Sequence, residues 1–216
     1  FKAHYEPSKK VINITKMAAG SLAHEWGHYL DDLMGDDKSY LDGKRLETAF
    51  ASHSPERMHP DIDPAIAEAL VKVRLALVES PRTDAEYAAI AKGEAKVTTT
   101  LKALRVSQRT HNYADTREKR AAFNQARQDI KELKAGASGG EPTKFKKDAE
   151  LLGDYWERPH EMFARAFEGY VEDELIKRER KSDYLVNETR KTRSMWRKQR
   201  EEGRYSWDDK VDVTHE

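Results

Sequence analysis

The run His24-Glu25-Trp26-Gly27-His28 constrains this chain more than any other stretch. Residues four apart stack on one face of a helix, so in a helix the two imidazoles can grip a single metal ion. Glu25 then points about 100° away, beside the ion's open position. Zn²⁺ lowers the pKa of a bound water toward ~7, and a carboxylate so placed takes the proton as the water attacks a polarised carbonyl. These residues describe the core of a metallopeptidase with Glu25 as general base. They also demand a third protein ligand from elsewhere in the fold.

The flanks support the helix. Leu22, Trp26, Tyr29, Leu30 and Leu33 fall on one side of the wheel, and His24 and His28 on the other. Asp31 and Asp32 flank the histidine face one turn on. A metal-bound histidine donates its second ring N–H to a carboxylate or carbonyl. Asp32, four residues after His28, suits that role, with Asp31 the fallback. Acids near a helix C-terminus oppose its dipole, which argues for a specific partner. Before the helix, residues 10–15 alternate and are β-branched, so they predict a short strand. Residues 18–20 predict a turn, and Ser21 a helix cap. His4, Tyr5 and Glu6 read as surface residues, with the alternative that they line the same cleft.

The second patterned segment is Tyr155-Trp156-Glu157-Arg158-Pro159-His160-Glu161 and the residues after it. Pro159 suits a first helical turn. Met162, Phe163, Ala166, Phe167, Tyr170 and Val171 then form an apolar face at helical spacing, with Glu161 roughly opposite its centre. His160 and Glu161 are equally fair third ligands on chemistry, and spacing does not choose between them. Tyr155 and Trp156 read as a hydrophobic anchor ahead of this helix.

Between the two segments the composition is that of helices, expected at 64–80, 83–107 and 115–134, with a flexible break at 135–142. This stretch reads as a helical insertion that caps the core, the sharper alternative being a substrate-selecting lid. His53, His59 and His111 lack metal spacing and read as surface residues. Charged residues make up 36% of the chain against 38% hydrophobic, so the core is modest and the helical surface extensive. The expected class is α+β, mainly helical, as one domain over 1–216. Its parts are strand plus metal helix (1–36), insertion (37–150), second helix with Asp183-Tyr184-Leu185-Val186 (151–190) and basic tail (191–216). The Asp183–Val186 segment is apolar enough to dock on the core.

No cysteine occurs, which excludes disulfides and thiolate metal sites and suits a cytosolic protein. No signal or membrane-spanning run occurs. An opening Phe1 suits a fragment of a longer protein. Basic runs at 176–181 and 190–204, with Tyr184, Trp196 and Tyr205, raise nucleic-acid binding as a rival function. Against it, lysine plus arginine equals aspartate plus glutamate, 39 each, and acids interrupt both runs.

HEWGHYLDD followed by EMFARAF resembles the gluzincin pattern, in which a second helix supplies a glutamate as third ligand. It is similar to the catalytic domain of anthrax lethal factor, with its HEFGHxxDD and EFFAEAF. The resemblance implies a zincin-like fold with an edge strand beside the substrate, Zn²⁺ as cofactor, Glu161 as third ligand and Glu25 as base. It also implies Tyr155 near the reacting carbonyl, one residue off lethal factor's position. Arg165 departs from that pattern, standing where lethal factor has an acid. AHYEPSKKVINITK, SLAHEWGHYLDD, YWERPHEMFARAFEGYVED and KSDYLV together resemble large polyvalent protein-associated domain 1, a metallopeptidase domain of phage and mobile-element proteins. That implies a protein or peptide substrate of the host cell, met in its cytosol, and no membrane. The competing class is a non-catalytic zincin-like module that binds a host protein or nucleic acid.

Overall fold

A computed structural model of the chain describes residues 3–15, 20–36, 40–41, 44–45, 50–79, 82–111, 113–136 and 141–186. In chain order its elements are β1 (Ala3–Glu6), β2 (Val11–Ile14), α1 (Leu22–Leu33), β3 (Tyr40–Leu41), β4 (Lys44–Arg45), α2 (Pro64–Val78), α3 (Asp84–Arg109), α4 (Tyr113–Gly136), α5 (Lys144–Leu152) and α6 (Pro159–Lys177). Among the described residues the fold is mainly helical, with two short antiparallel strand pairs, β1-β2 and β3-β4. Two compact units divide the chain: Phe1–Tyr29 with Lys144–Glu216, and Leu30–Thr143. The division falls inside α1. Residues 18–19 of the expected turn, 137–140 of the expected break, and the 190–204 basic run with Trp196 and Tyr205 lie outside the described residues.

In the first unit the expected strand is β2. Its partner β1 was not foreseen, and it pairs Tyr5 with Ile12 and Glu6 with Val11. Lys9 N closes the turn onto Glu6 O at 3.2 Å, with Lys10 in the left-handed region. Tyr5 is buried, which corrects its reading as a surface residue. Ser21 stands just before helix α1, and its carbonyl accepts Glu25 N at 3.2 Å. The first N–H groups of a helix have no partner within it. Here Ala23 N donates to Leu185 O (3.1 Å), and Gly20 N just ahead of it to Tyr184 O (3.2 Å). The Asp183–Val186 segment therefore docks chiefly through its backbone, with Val186 buried and Tyr184 exposed.

Helix α5, also unforeseen, ends at Gly153, whose φ of +107° favours glycine. Lys146 Nζ reaches forward to Glu157 at 2.8 Å. Pro159 opens α6 as expected.

The faces of α1 and α6 depart from expectation. Trp26 and Leu33, both on the apolar side of α1, are 47% and 60% exposed, while Ala23, His24, Gly27, His28, Asp31 and Asp32 are buried. On α6 the buried stripe includes Glu161, Ala164 and Glu168, and Tyr170 is 58% exposed. The reason is a close helix approach. A Cβ at Gly27 would lie 2.8 Å from Ala164 Cα, so only glycine lets the two backbones come this near. Small residues draw the polar stripes of the two helices together.

The second unit follows its sequence closely. Helices α2, α3 and α4 fall where the composition predicts them. Asp63 caps α2 by accepting Ala65 N at 2.8 Å, and Thr83 with Glu86 forms a capping box on α3. Val71, Leu75, Ile90, Val97, Leu101, Leu104, Phe123, Ala126 and Ile130 form its core. Glu94, fully buried in this unit, pairs with Arg74 and, at 2.7 Å, with Lys134.

Candidate metal centre

One turn of α1 and the first turn of α6 meet to make the site, wholly within the first unit. His24 Nε2 and His28 Nε2 lie 3.1 Å apart, their rings perpendicular. Glu161 Oε1 is 3.2 Å from His28 Nε2, and Oε2 is 3.5 Å from His24 Nε2. All three residues are buried, and among the described residues they form the one group of this kind able to hold a metal ion. Spacing had left His160 and Glu161 level. In the structure Glu161 joins the cluster and His160 stays beside it, its ring centroid 5.7 Å from that of His28.

Electrostatics prepares the donors. Burial would raise the Glu161 pKa, but the hydrogen bond from His28 and the charges of the two imidazoles outweigh it and hold the carboxyl at about 2. At neutral pH it is therefore an ionised donor. Tyr155, six residues earlier, donates its hydroxyl to Glu161 Oε1 at 2.6 Å. Almost half of Tyr155 is exposed, and its bond to Glu161 is partly buried. Burial first, then the bond to Glu161, pushes the phenol well above its ordinary pKa, so it remains a proton donor at neutral pH.

Glu25 lies beside the cluster and outside it. Tyr5 N donates to its Oε2 at 2.7 Å, so strand β1 anchors one carboxylate oxygen. Burial pushes its pKa up, against the charge of His28 and the Tyr5 hydrogen bond, which pull it down. Sequence reasoning missed this tie. The turn residues Pro7 to Lys10, set between two short alternating runs, were the available hairpin signal.

Asp31 accepts from Ser52 N (2.7 Å) and Ser52 Oγ (2.6 Å), which commits its carboxylate to a loop of the second unit. Asp32 is buried in the last turn of α1. The carboxylate found against His24 Nδ1 is a different one, Glu168, with Oε2 at 3.9 Å. Arg165 stacks on buried Trp156, its guanidinium carbon 3.7 Å from the ring centroid, and its Nη2 lies 3.8 Å from Glu161 Oε2. Of the other histidines, His59 and His111 are exposed, and His53 is half-buried against Phe50.

Residues 147–212 match the family model of large polyvalent protein-associated domain 1, as the motifs of that segment led us to expect. The match holds α6, Tyr155, Glu161 and Glu168, and it runs on through the basic tail. The HEWGH helix lies outside it. No curated protein and no solved structure matches the chain, so neither comparison shows the likeness to lethal factor.

Proposed function

We propose that this chain is a zinc-dependent metalloendopeptidase of gluzincin type, with its catalytic core in the first unit. His24, His28 and Glu161 would hold the ion. The observation that carries this reading is the convergence of those three donors, with the Glu25 carboxylate next to them. Bonds of ~2.0–2.1 Å put the corners of a zinc tetrahedron about 3.3 Å apart. The two imidazole nitrogens stand 3.1 Å apart, near that spacing, and one donor atom from each of the three residues falls within 4.8 Å of the others. Two imidazoles and a carboxylate suit Zn²⁺ better than Mg²⁺ or Ca²⁺, which favour oxygen donors.

When bound, zinc supplies a Lewis acid for the attacking water and the scissile carbonyl. Glu25, anchored through one oxygen by Tyr5 N, takes the water's proton on the other. It returns that proton to the amine nitrogen as the C–N bond breaks. Tyr155, kept protonated, donates a hydrogen bond at the Glu161 side and is the group available to support the oxyanion. The family match supports a setting in a polyvalent protein of a phage or mobile element; host proteins, met in the cytosol, are the substrates this reading proposes. No helix among the described residues is long and apolar enough to cross a membrane.

The test is Glu25→Gln in the zinc-loaded protein against a peptide library. Hydrolysis should fall by about 10²–10⁴-fold while the metal stays bound. Undiminished cleavage by that variant would remove Glu25 from the mechanism.

A further inference from the structure

The α6 stripe that carries Glu161 holds a second buried carboxylate, Glu168, seven residues on. Positions seven apart lie two turns away on nearly the same helix face, so both acids point toward α1. Glu161 approaches His24 at Nε2 (3.5 Å) and Glu168 approaches it at Nδ1 (3.9 Å). One imidazole thus lies between two carboxylates of a single helix. Glu168 is only 7% exposed, and burying a carboxylate is costly unless a partner repays it.

We infer that Glu168 is a positioning residue for His24: on closing the 3.9 Å gap it accepts a hydrogen bond from Nδ1–H and so keeps the Nε2 lone pair directed into the donor cluster. The chemistry requires one such group. A neutral imidazole carries a single proton, and Nε2 is a donor atom to a cation only when that proton sits on Nδ1. An acceptor on the Nδ1 side selects that tautomer, fixes the ring and makes Nε2 more basic. Sequence reasoning assigned this work to Asp32, on α1 itself. The geometry places an acid from the opposite helix at the nitrogen in question. Glu161 and Glu168 then act as one device, and the single helix that completes the cluster also sets the tautomer of its first histidine.

The inference rests on His24 being a metal ligand, and its test separates the two claims. Zinc affinity is measured by chelator competition for wild type, Glu168→Ala and Glu168→Gln, together with the visible spectrum of the Co²⁺-substituted proteins. We expect Glu168→Ala to bind zinc about 10- to 100-fold more weakly. Glu168→Gln, whose amide oxygen still accepts a hydrogen bond, should recover part of that loss and shift the Co²⁺ bands. Histidine ¹⁵N NMR of the zinc-loaded protein should show His24 protonated on Nδ1, with a signal that moves in Glu168→Gln. This last readout keeps the inference open to refutation if Glu168→Ala does not fold. Wild-type affinity and spectra in both variants, or an unmoved His24 signal in Glu168→Gln, would overturn the role of Glu168 and leave the cluster standing. A wild type that takes up no zinc would overturn both.

Discussion

The two units bury charge for different ends. In the helical unit the fully buried Glu94 is answered by Arg74 and Lys134, cations with no other chemistry to offer there. In the other unit Glu25, Glu161 and Glu168 are buried around His24 and His28, groups whose chemistry allows metal ligation and proton transfer as well as charge. A buried ion pair that only closes on itself contributes little net stability, although losing one partner is costly. A buried set of carboxylates and imidazoles with converging donor atoms is what a functional site looks like electrostatically. The contrast distinguishes a structural charge from a chemical one without reference to any relative.

That contrast can be broken by removing one acid from each side. Glu94→Ala should destabilise the protein by about 3 kcal/mol, at the low end for a broken buried pair because Lys134 reaches solvent. Zinc affinity per folded molecule should be unchanged. A denaturant titration beside a metal titration checks both, and a large loss of metal affinity would show that Glu94 belongs to the site after all.

The glycines sharpen the comparison at a smaller scale. A Cβ on Gly27 meets the backbone of Ala164 at 2.8 Å, whereas one on Gly93 meets the flexible end of the Ile130 side chain at 2.7 Å. Backbone cannot step aside cheaply and a side-chain tip can. Gly27→Ala should therefore cost about 1–3 kcal/mol by overpacking and weaken zinc binding, because it pushes Glu161 away from the histidines. Gly93→Ala should be close to neutral, since about 1 kcal/mol of helix propensity offsets the repacking. Equal effects of the two substitutions would contradict this account of how α1 and α6 approach.

The smallest effect is a pH dependence. The Glu161 carboxyl is held at about 2 in the folded chain against an ordinary value of 4.5. Its folded pKa is depressed, so its contribution to stability is fully present above about pH 4.5 and fades as pH falls toward about 2. In chelator-treated protein, the stability difference between wild type and Glu161→Gln should shrink across that window. A difference that grew with acidity would reverse the sign of the argument.

How legible each part was follows from the same physics. The helices of the second unit announced themselves by composition and caps, because a solvated helix is largely determined by its own residues. HEWGH was legible because its spacing alone puts two histidines on one face of a helix. The faces were not. Periodicity reads apolar residues as core, and here the stripe of Ala23, Gly27, His24 and His28 is buried because small residues permit a close crossing, while Trp26 is left outside. Glu161 could not be separated from His160 by spacing, and only the resemblance favoured it. Tyr5 and Glu168 act through contacts across elements, which no local window contains.

The most direct test of the central claim is the metal content of purified wild type beside Glu161→Ala, by mass spectrometry at known protein concentration. One zinc per wild-type chain, and a large loss in the variant while it remains folded, is what the His24, His28 and Glu161 cluster predicts. A folded wild type without stoichiometric zinc after exposure to it, or an Glu161→Ala variant that retains the ion in full, would contradict it.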